Sequence, residues 1–273
     1  MTCKPFRHDP GQRMLCRVRT AFPIFMPYLY AMGQSWHRAV LVHCEAISQH
    51  TRRFFFEMPE LERYDFEPGQ FVMMQLPIHE EEKKSRRSYS IASRPDGTNR
   101  LEFVIVQLDG GAGTAFLFNH CEVGREILIS SPLGRMGLHE PIDYDVCYIA
   151  TGTGIAPFRS MLHDLHHHPR PHRRLDLIFG TRTAADLLYV EEMRSLERDL
   201  EGFHYHPTLS REAVPGCRQG YVHPVYQELY GDRAGREDVM FYICGWGDMI
   251  RDARKNLLDM GFSRKQIHFE SYG

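Results

Sequence analysis

Val146 to Ala150 is a purely apolar run that leads directly into Thr151-Gly152-Thr153-Gly154-Ile155-Ala156-Pro157, and this junction constrains the fold more than any other stretch. A short apolar run without polar alternation is buried on both faces, as strands of a parallel sheet are. Glycines directly after it permit a tight turn, and Pro157 suits the first turn of a following helix. The same alternation continues to the end of the chain. Strands are predicted at Val146 to Ala150, Leu175 to Phe179, His204 to Thr208, Val239 to Cys244 and Ile267 to Glu270. Helices are predicted at Pro157 to Leu165, Leu187 to Leu200, Val222 to Leu229 and Met249 to Met260. Buried parallel strands with crossover helices make a doubly wound α/β sheet, which binds ligands beyond the carboxyl ends of its strands.

The pattern before this junction is different. From Trp36 to about Ser130 the chain reads as short strands with turn punctuation: Ala39 to Ile47, Arg52 to Glu57, Phe71 to Leu76, Ser88 to Ala92, Leu101 to Leu108 and Glu126 to Ile129. One short helix is expected from Thr114 to Asn119, after Gly110, Gly111 and Gly113. Such a series implies a closed antiparallel six-stranded β-barrel. The expected organisation is a barrel over 36–138 and an α/β domain over 139–273. Ahead of them, residues 1–35 carry Lys4, Arg7, Arg13, Arg17 and Arg19 against a single acid, Asp9, and read as a basic, flexible N-terminal extension. The competing reading is a targeting segment.

Charge and cysteine usage exclude several function classes. With 33 basic and 35 acidic residues the net charge is -2, so no global basic field favours nucleic acid. Cysteines at 3, 16, 44, 121, 147, 217 and 244 form no Cys-x-x-Cys and no cluster, so no metal site is expected. Their scatter suggests reduced thiols in the cytoplasm. No transmembrane segment is expected, because no uninterrupted apolar run approaches the roughly 20 residues that span a bilayer. His163 and His166-His167-His168 read as a solvated helix end.

Three further motifs bear on chemistry. The Gly-rich turn after Ala150 admits a pyrophosphate close to backbone amides, although a plain tight turn has the same composition. Arg87-Ser88-Tyr89-Ser90 sits on a predicted barrel strand and offers a guanidinium, a flat ring and hydroxyls; an ordinary alternating strand is the other reading. Gly111-Ala112-Gly113-Thr114 places small residues and a hydroxyl at a helix start, as a phosphate seat or as simple N-capping by Thr114.

The order of these motifs, closed by Cys244-Gly245-x-x-x-Met249, resembles the ferredoxin-NADP reductase family over residues 36–273. The resemblance implies an FAD-binding barrel at 36–138 and an NADP-binding α/β domain at 139–273. By that resemblance Arg87 pairs with the FAD pyrophosphate, Tyr89 packs on the isoalloxazine, and Ser90 bonds near flavin N5, with Ser88 beside them. Val104, Ile105 and Val106 line the flavin or its adenosine by backbone contact. Gly111, Ala112, Gly113 and Thr114 hold the diphosphate, with Thr114 where Ser is common, and Thr153 reaches the flavin from the second domain.

The dinucleotide is implied to lie on Gly154, Ile155, Ala156, Pro157, Gly245 and Met249. Ser210 and Arg211 resemble the pair that grips the 2'-phosphate of NADP, Tyr221 stacks on adenine, and Arg182 reads either as an additional contact or as a solvated loop charge. Gln219 stands where a further basic residue is frequent, with Arg218 one place earlier. The terminus Glu270-Ser271-Tyr272 resembles the Glu-x-Tyr ending of plant-type members, with an extra Gly273; it makes Tyr272 a cover over the flavin and puts Ser90, Cys244 and Glu270 at the reacting edge. The activity implied is hydride transfer between nicotinamide C4 and flavin N5, linking NADP(H), in preference to NAD, to a separate one-electron carrier such as ferredoxin or flavodoxin. Two alternatives share the fold: an NADH-dependent reductase component of an oxygenase, and a non-catalytic flavin-binding regulatory subunit.

Overall fold

The structure, a computed structural model, describes residues 35–233 and 236–272, and the side chain of Tyr272 is not among the described groups. The N-terminal extension therefore lies outside the described residues apart from Ser35, whose carbonyl accepts from the Ser131 amide at 2.8 Å.

Six antiparallel strands form the first sheet: β1 (Trp36–Ala46), β2 (Thr51–Glu57), β3 (Phe71–Gln75), β4 (Arg86–Ser90), β5 (Arg100–Val106) and β6 (Glu126–Ser130), in the order β4-β3-β6-β1-β2-β5. On β2 the period of two puts Phe54 and Phe56 inside, where they meet Leu41, Val72, Met74, Phe103 and Ile129 in a dry core. The ends of the sheet come together where the Ala92 amide donates to the Glu102 carbonyl at 2.8 Å. Helix α1 (Ala112–Asn119) packs Phe116 and Leu117 into the same core.

The second sheet is wholly parallel: β7 (Asp145–Thr151), β8 (Leu175–Thr181), β9 (Phe203–Leu209), β10 (Arg218–Gln219), β11 (Val239–Trp246) and β12 (Ile267–Tyr272), in the order β10-β9-β8-β7-β11-β12. The chain steps outward from β7 to β10 and then returns to β11, so the strand order reverses between β7 and β11. Helices α2 (Ala156–His167) and α3 (Val190–Asp199) share one core with this sheet, while α4 (Val222–Tyr230) and α5 (Gly247–Asp259) share another. The α2 core also contains Ala92, Val104 and Met136, so it joins the two sheets.

Two local differences from the sequence reading have simple causes. The parallel sheet has a sixth strand, β10, which at two residues is too short to show a period. Helix α1 begins at Ala112, and Thr114 lies inside it. The Thr114 hydroxyl accepts from the Leu108 amide at 3.1 Å and thereby braces the preceding loop. Among the described residues no helix is long and apolar enough to cross a membrane.

Candidate functional site

On β4, Arg87 and Tyr89 are two residues apart and share a face of the strand. A Cβ built on Gly113 would stand 2.9 Å from Arg87 Cγ and 3.4 Å from the Tyr89 hydroxyl, so the start of α1 lies directly against both side chains. The first i to i-4 bond at that end runs from Ala115 to Gly111, which leaves the amides of Ala112, Gly113 and Thr114 ahead of the helical ladder. Arg87 is half-buried, and its Nη1 donates to the carbonyls of Lys84 and Arg86 at 2.9 and 2.8 Å. A guanidinium, a ring and helix-start amides thus converge on one face. Burial pushes the Tyr89 hydroxyl up to about 12, against the pull of Arg87, so it stays protonated. On β5, Val104 belongs to the core shared with the parallel sheet, Ile105 to the barrel core, and Val106 is half-buried.

The reversal point between β7 and β11 gathers the second group. Thr153 and Gly154 form a single 3-10 turn, Gly152–Ile155, after which Ala156 and Pro157 open α2. A Cβ on Gly154 would stand 2.2 Å from the Cys244 carbonyl oxygen, so that turn is pressed onto the end of β11. Gly245 has φ +144, and a Cβ there would meet the Thr151 hydroxyl at 2.2 Å. Both close approaches require glycine.

Glu270 sits opposite Cys244 in the β11–β12 register, and Phe71 sits opposite Ser90 in β3–β4. A Cβ on Gly134 would lie 3.0 Å from both a Glu270 carboxylate oxygen and the Phe71 ring. The two sheets therefore meet here, with Ser90, Phe71, Glu270 and Cys244 in succession. Burial pushes the Glu270 carboxyl up to about 7 from 4.5. The folded state holds that proton where the unfolded chain has released it, so this group's contribution to stability falls as pH rises from about 4.5 to about 7. Glu270→Gln should therefore be more stable than wild type above pH 7, by roughly 1–2 kcal/mol once partial exposure is allowed for. The difference should shrink toward about pH 5. Thermal melts across that range test this, and a gap that does not vary with pH would contradict it.

At the far end of the sheet, the amides of Ser210 and Arg211 donate to the carbonyls of Thr181 and Arg182 at 3.0 and 2.9 Å, which sets Arg182 and Arg211 side by side. Both are exposed, and among the described residues neither pairs with a carboxylate. The Gly220 amide donates to the Leu209 carbonyl at 2.8 Å and brings Tyr221, 71% exposed, to the same edge. Glu212 is turned away from Arg211, accepting the Ala184 amide at 2.7 Å. Arg218 is bonded to Glu228 through both terminal nitrogens, at 2.7 and 3.1 Å.

Met249 packs in the core beneath α5. Sequence reasoning passed over Trp246, which is 53% exposed with its amide donating to the Thr151 hydroxyl at 3.3 Å. Its indole Nε1 lies 3.8 Å from where a Gly152 Cβ would stand; a large aromatic directly after Cys244-Gly245 was the available signal. Among the described residues no group of three or more His, Cys, Asp or Glu could hold a metal ion.

Residues 38–137 match the family described as oxidoreductase FAD-binding domain, and residues 148–255 match oxidoreductase NAD-binding domain. Ferredoxin--NADP reductase B of Sorangium cellulosum is 34% identical over 240 residues, covering 86% of this chain and 96% of that protein. The anthranilate 1,2-dioxygenase electron transfer component of Acinetobacter baylyi is 28% identical over 85% of this chain, which spans only 66% of that protein. Among solved structures, a ferredoxin NADP+ reductase from Neisseria gonorrhoeae with bound FAD and NADP superposes with a TM-score of 0.73 at 25% identity, covering 86% of this chain and 98% of the other. The Amycolatopsis cytochrome P450 reductase GcoB gives 0.77 at 28% identity, covering 87% of this chain and 70% of the other.

Proposed function

The chain belongs to the ferredoxin-NADP reductase family of oxidoreductases, and from that membership we propose that it moves electrons between NADP(H) and a separate one-electron carrier protein of the ferredoxin or flavodoxin kind, with FAD held on the barrel. The observation that carries this reading is the meeting of Ser90 and Phe71 from the barrel with Glu270 and Cys244 from the parallel sheet. FAD fits the barrel because Gly113 leaves a cradle that a Cβ would fill, beside a guanidinium and a flat ring. Bound there, FAD would supply hydride exchange with nicotinamide C4 at its N5 and single-electron steps to the carrier.

The protein supplies placement and charge. Arg87 and the amides of Ala112, Gly113 and Thr114 hold the diphosphate, Gly111 shapes the turn before them with its amide donated to the Leu108 carbonyl at 3.0 Å, Tyr89 covers one ring face, and Val104, Ile105 and Val106 meet the flavin by their backbone. Thr153 reaches toward the flavin, and the turn Gly154, Ile155, Ala156 and Pro157, with Gly245, receives the dinucleotide at the strand-order reversal. Ser90, Cys244 and Glu270 line the reacting edge. Glu270, with a pKa near neutrality, exchanges a proton there in the working pH range. Cys44, Cys121, Cys147, Cys217 and Cys244 are not joined in disulfides among the described residues, and reduced cysteines suit a cytoplasmic setting.

NADP is favoured over NAD by Arg211 and Arg182 standing together beside Ser210 and Tyr221, with Glu212 directed elsewhere. A guanidinium on the 2'-phosphate contributes about 1.5–3 kcal/mol, so Arg211→Ala should raise the Michaelis constant for NADPH roughly ten- to hundredfold and leave that for NADH nearly unchanged. Equal losses with both would reject the assignment. The pairing of Arg218 with Glu228 favours the second reading, an NADH-dependent oxygenase reductase component, because it withdraws one cation from this edge. A wild-type preference for NADH in the same assay would select it.

A further inference from the structure

The core joining the two sheets contains a buried ionic network that none of the motifs above accounts for. Arg159 on α2 has a side chain only 10% exposed. Its Nη1 donates to the Ala92 carbonyl at 2.7 Å and to Glu102 Oε2 at 3.0 Å, and its Nη2 donates to Glu192 Oε2 on α3 at 3.0 Å. Glu102, on β5, also accepts from Arg53 at 2.7 and 3.0 Å and from the Tyr189 hydroxyl at 2.7 Å. The Arg159 guanidinium lies over the Tyr189 ring, 4.5 Å from its centroid. Tyr189 has φ +57 and is the one non-glycine in the left-handed region among the described residues. Strain of that kind persists where the surroundings over-determine it. Burial would favour a neutral acid at Glu102, but its bonds and charges from Arg53 and Arg159 hold the carboxyl below its usual range, so the network stays ionised.

What the network ties together gives it a role. Arg159 lies on the first turn of α2, just beyond the Thr153–Gly154 turn. Ala92, which it grips by the carbonyl, is two residues past Ser90. Glu102 is bound into the same junction by its backbone, with the Ala92 amide donating to its carbonyl at 2.8 Å and its own amide donating to the Ser93 hydroxyl at 3.1 Å. One guanidinium therefore spans the strand end that carries Ser90 and the helix start that carries the glycine turn. Buried ion pairs are poor sources of stability and better suited to fixing one register between packed elements.

We propose that Arg159 is a positioning residue that sets how closely the Thr153–Gly154 turn approaches Ser90, and through it the alignment of nicotinamide with the flavin. The proposal rests on the reading of the site given above for its chemistry, though not for its geometry. A cavity of about 150 Å³ lined by Ser93, Arg94, Asp96, Glu102, Arg159 and His163 adjoins the network and gives a shortened side chain room to be hydrated.

The test uses the full chain carrying FAD, as wild type, Arg159→Lys, Arg159→Ala and Glu192→Gln. The last variant keeps the side-chain shape if Arg159→Ala does not fold. Hydrogen exchange should speed up in the variants at both residues 90–93 and residues 152–156, with Arg159→Lys intermediate. Flavin reduction at saturating NADPH should fall roughly ten- to hundredfold per bound flavin, with a full isotope effect from NADPH deuterated at C4 and with flavin content and NADP+ dissociation constant unchanged. Unchanged exchange at either segment would overturn the proposal, as would an unchanged saturating rate per bound flavin. A wild type that neither NADPH nor NADH reduces would overturn the proposed function instead, and the exchange measurement would still decide whether Arg159 links the two segments.

Discussion

Replacing Gly154 with Ala is expected to slow flavin reduction by NADPH about a hundredfold at saturation while FAD stays bound. The added Cβ would lie 2.2 Å from the Cys244 carbonyl oxygen, 2.5 Å from its carbon and 2.8 Å from Gly245 Cα. All three are backbone atoms, so no rotamer relieves the clash and the turn must lift away from β11. Gly245 sits in an equally tight place, since a Cβ on it would meet the Thr151 hydroxyl at 2.2 Å and its φ of +144 is one that side chains rarely adopt. Overpacking of this kind costs roughly 1–3 kcal/mol of stability, while displacement of the turn acts on the alignment of the dinucleotide. The barrel residues proposed to hold FAD are untouched. Flavin content per chain and stopped-flow reduction measure the two effects separately, and a normal reduction rate would show that the turn does not seat the dinucleotide.

Arg87→Ala should weaken FAD retention roughly ten- to hundredfold, the loss expected for a charge-assisted hydrogen bond to the diphosphate. The Arg87 guanidinium is bonded only to the carbonyls of Lys84 and Arg86 among the described residues, so its removal leaves the barrel core intact. Equilibrium dialysis of FAD against the variant, with Arg211→Ala as a control that keeps its flavin, checks this. Equal retention in both variants would remove Arg87 from the diphosphate site.

The parts of this architecture readable in the sequence are those that repeat locally. The apolar runs of β7, β8 and β11, and the alternation from Ala39 along β1, give away both sheets, because burial imposes a period on each strand. Arg87, Tyr89 and Gly113 are legible as separate motifs, yet that the start of α1 lies against β4 is a tertiary fact. The links of the Arg159 network have no local trace, since those to Glu102 and Glu192 cross 57 and 33 residues and its arginines and glutamates occupy ordinary strand and helix positions. Met249 shows the converse: it reads as the end of a Cys-Gly-x-x-x-Met motif and is seated in a core. Trp246 is marked in the sequence only by its place directly after Cys244-Gly245, and that it stands against Gly152 is a tertiary fact.

The central claim is that this chain carries FAD and passes reducing equivalents between NADP(H) and a one-electron carrier. Anaerobic mixing of the FAD-bearing protein with NADPH, then with oxidised ferredoxin or flavodoxin, tests it most directly. The account predicts that the visible flavin band bleaches on NADPH addition, faster than on NADH addition, and returns when the carrier is added. A flavin band that neither dinucleotide bleaches would contradict it.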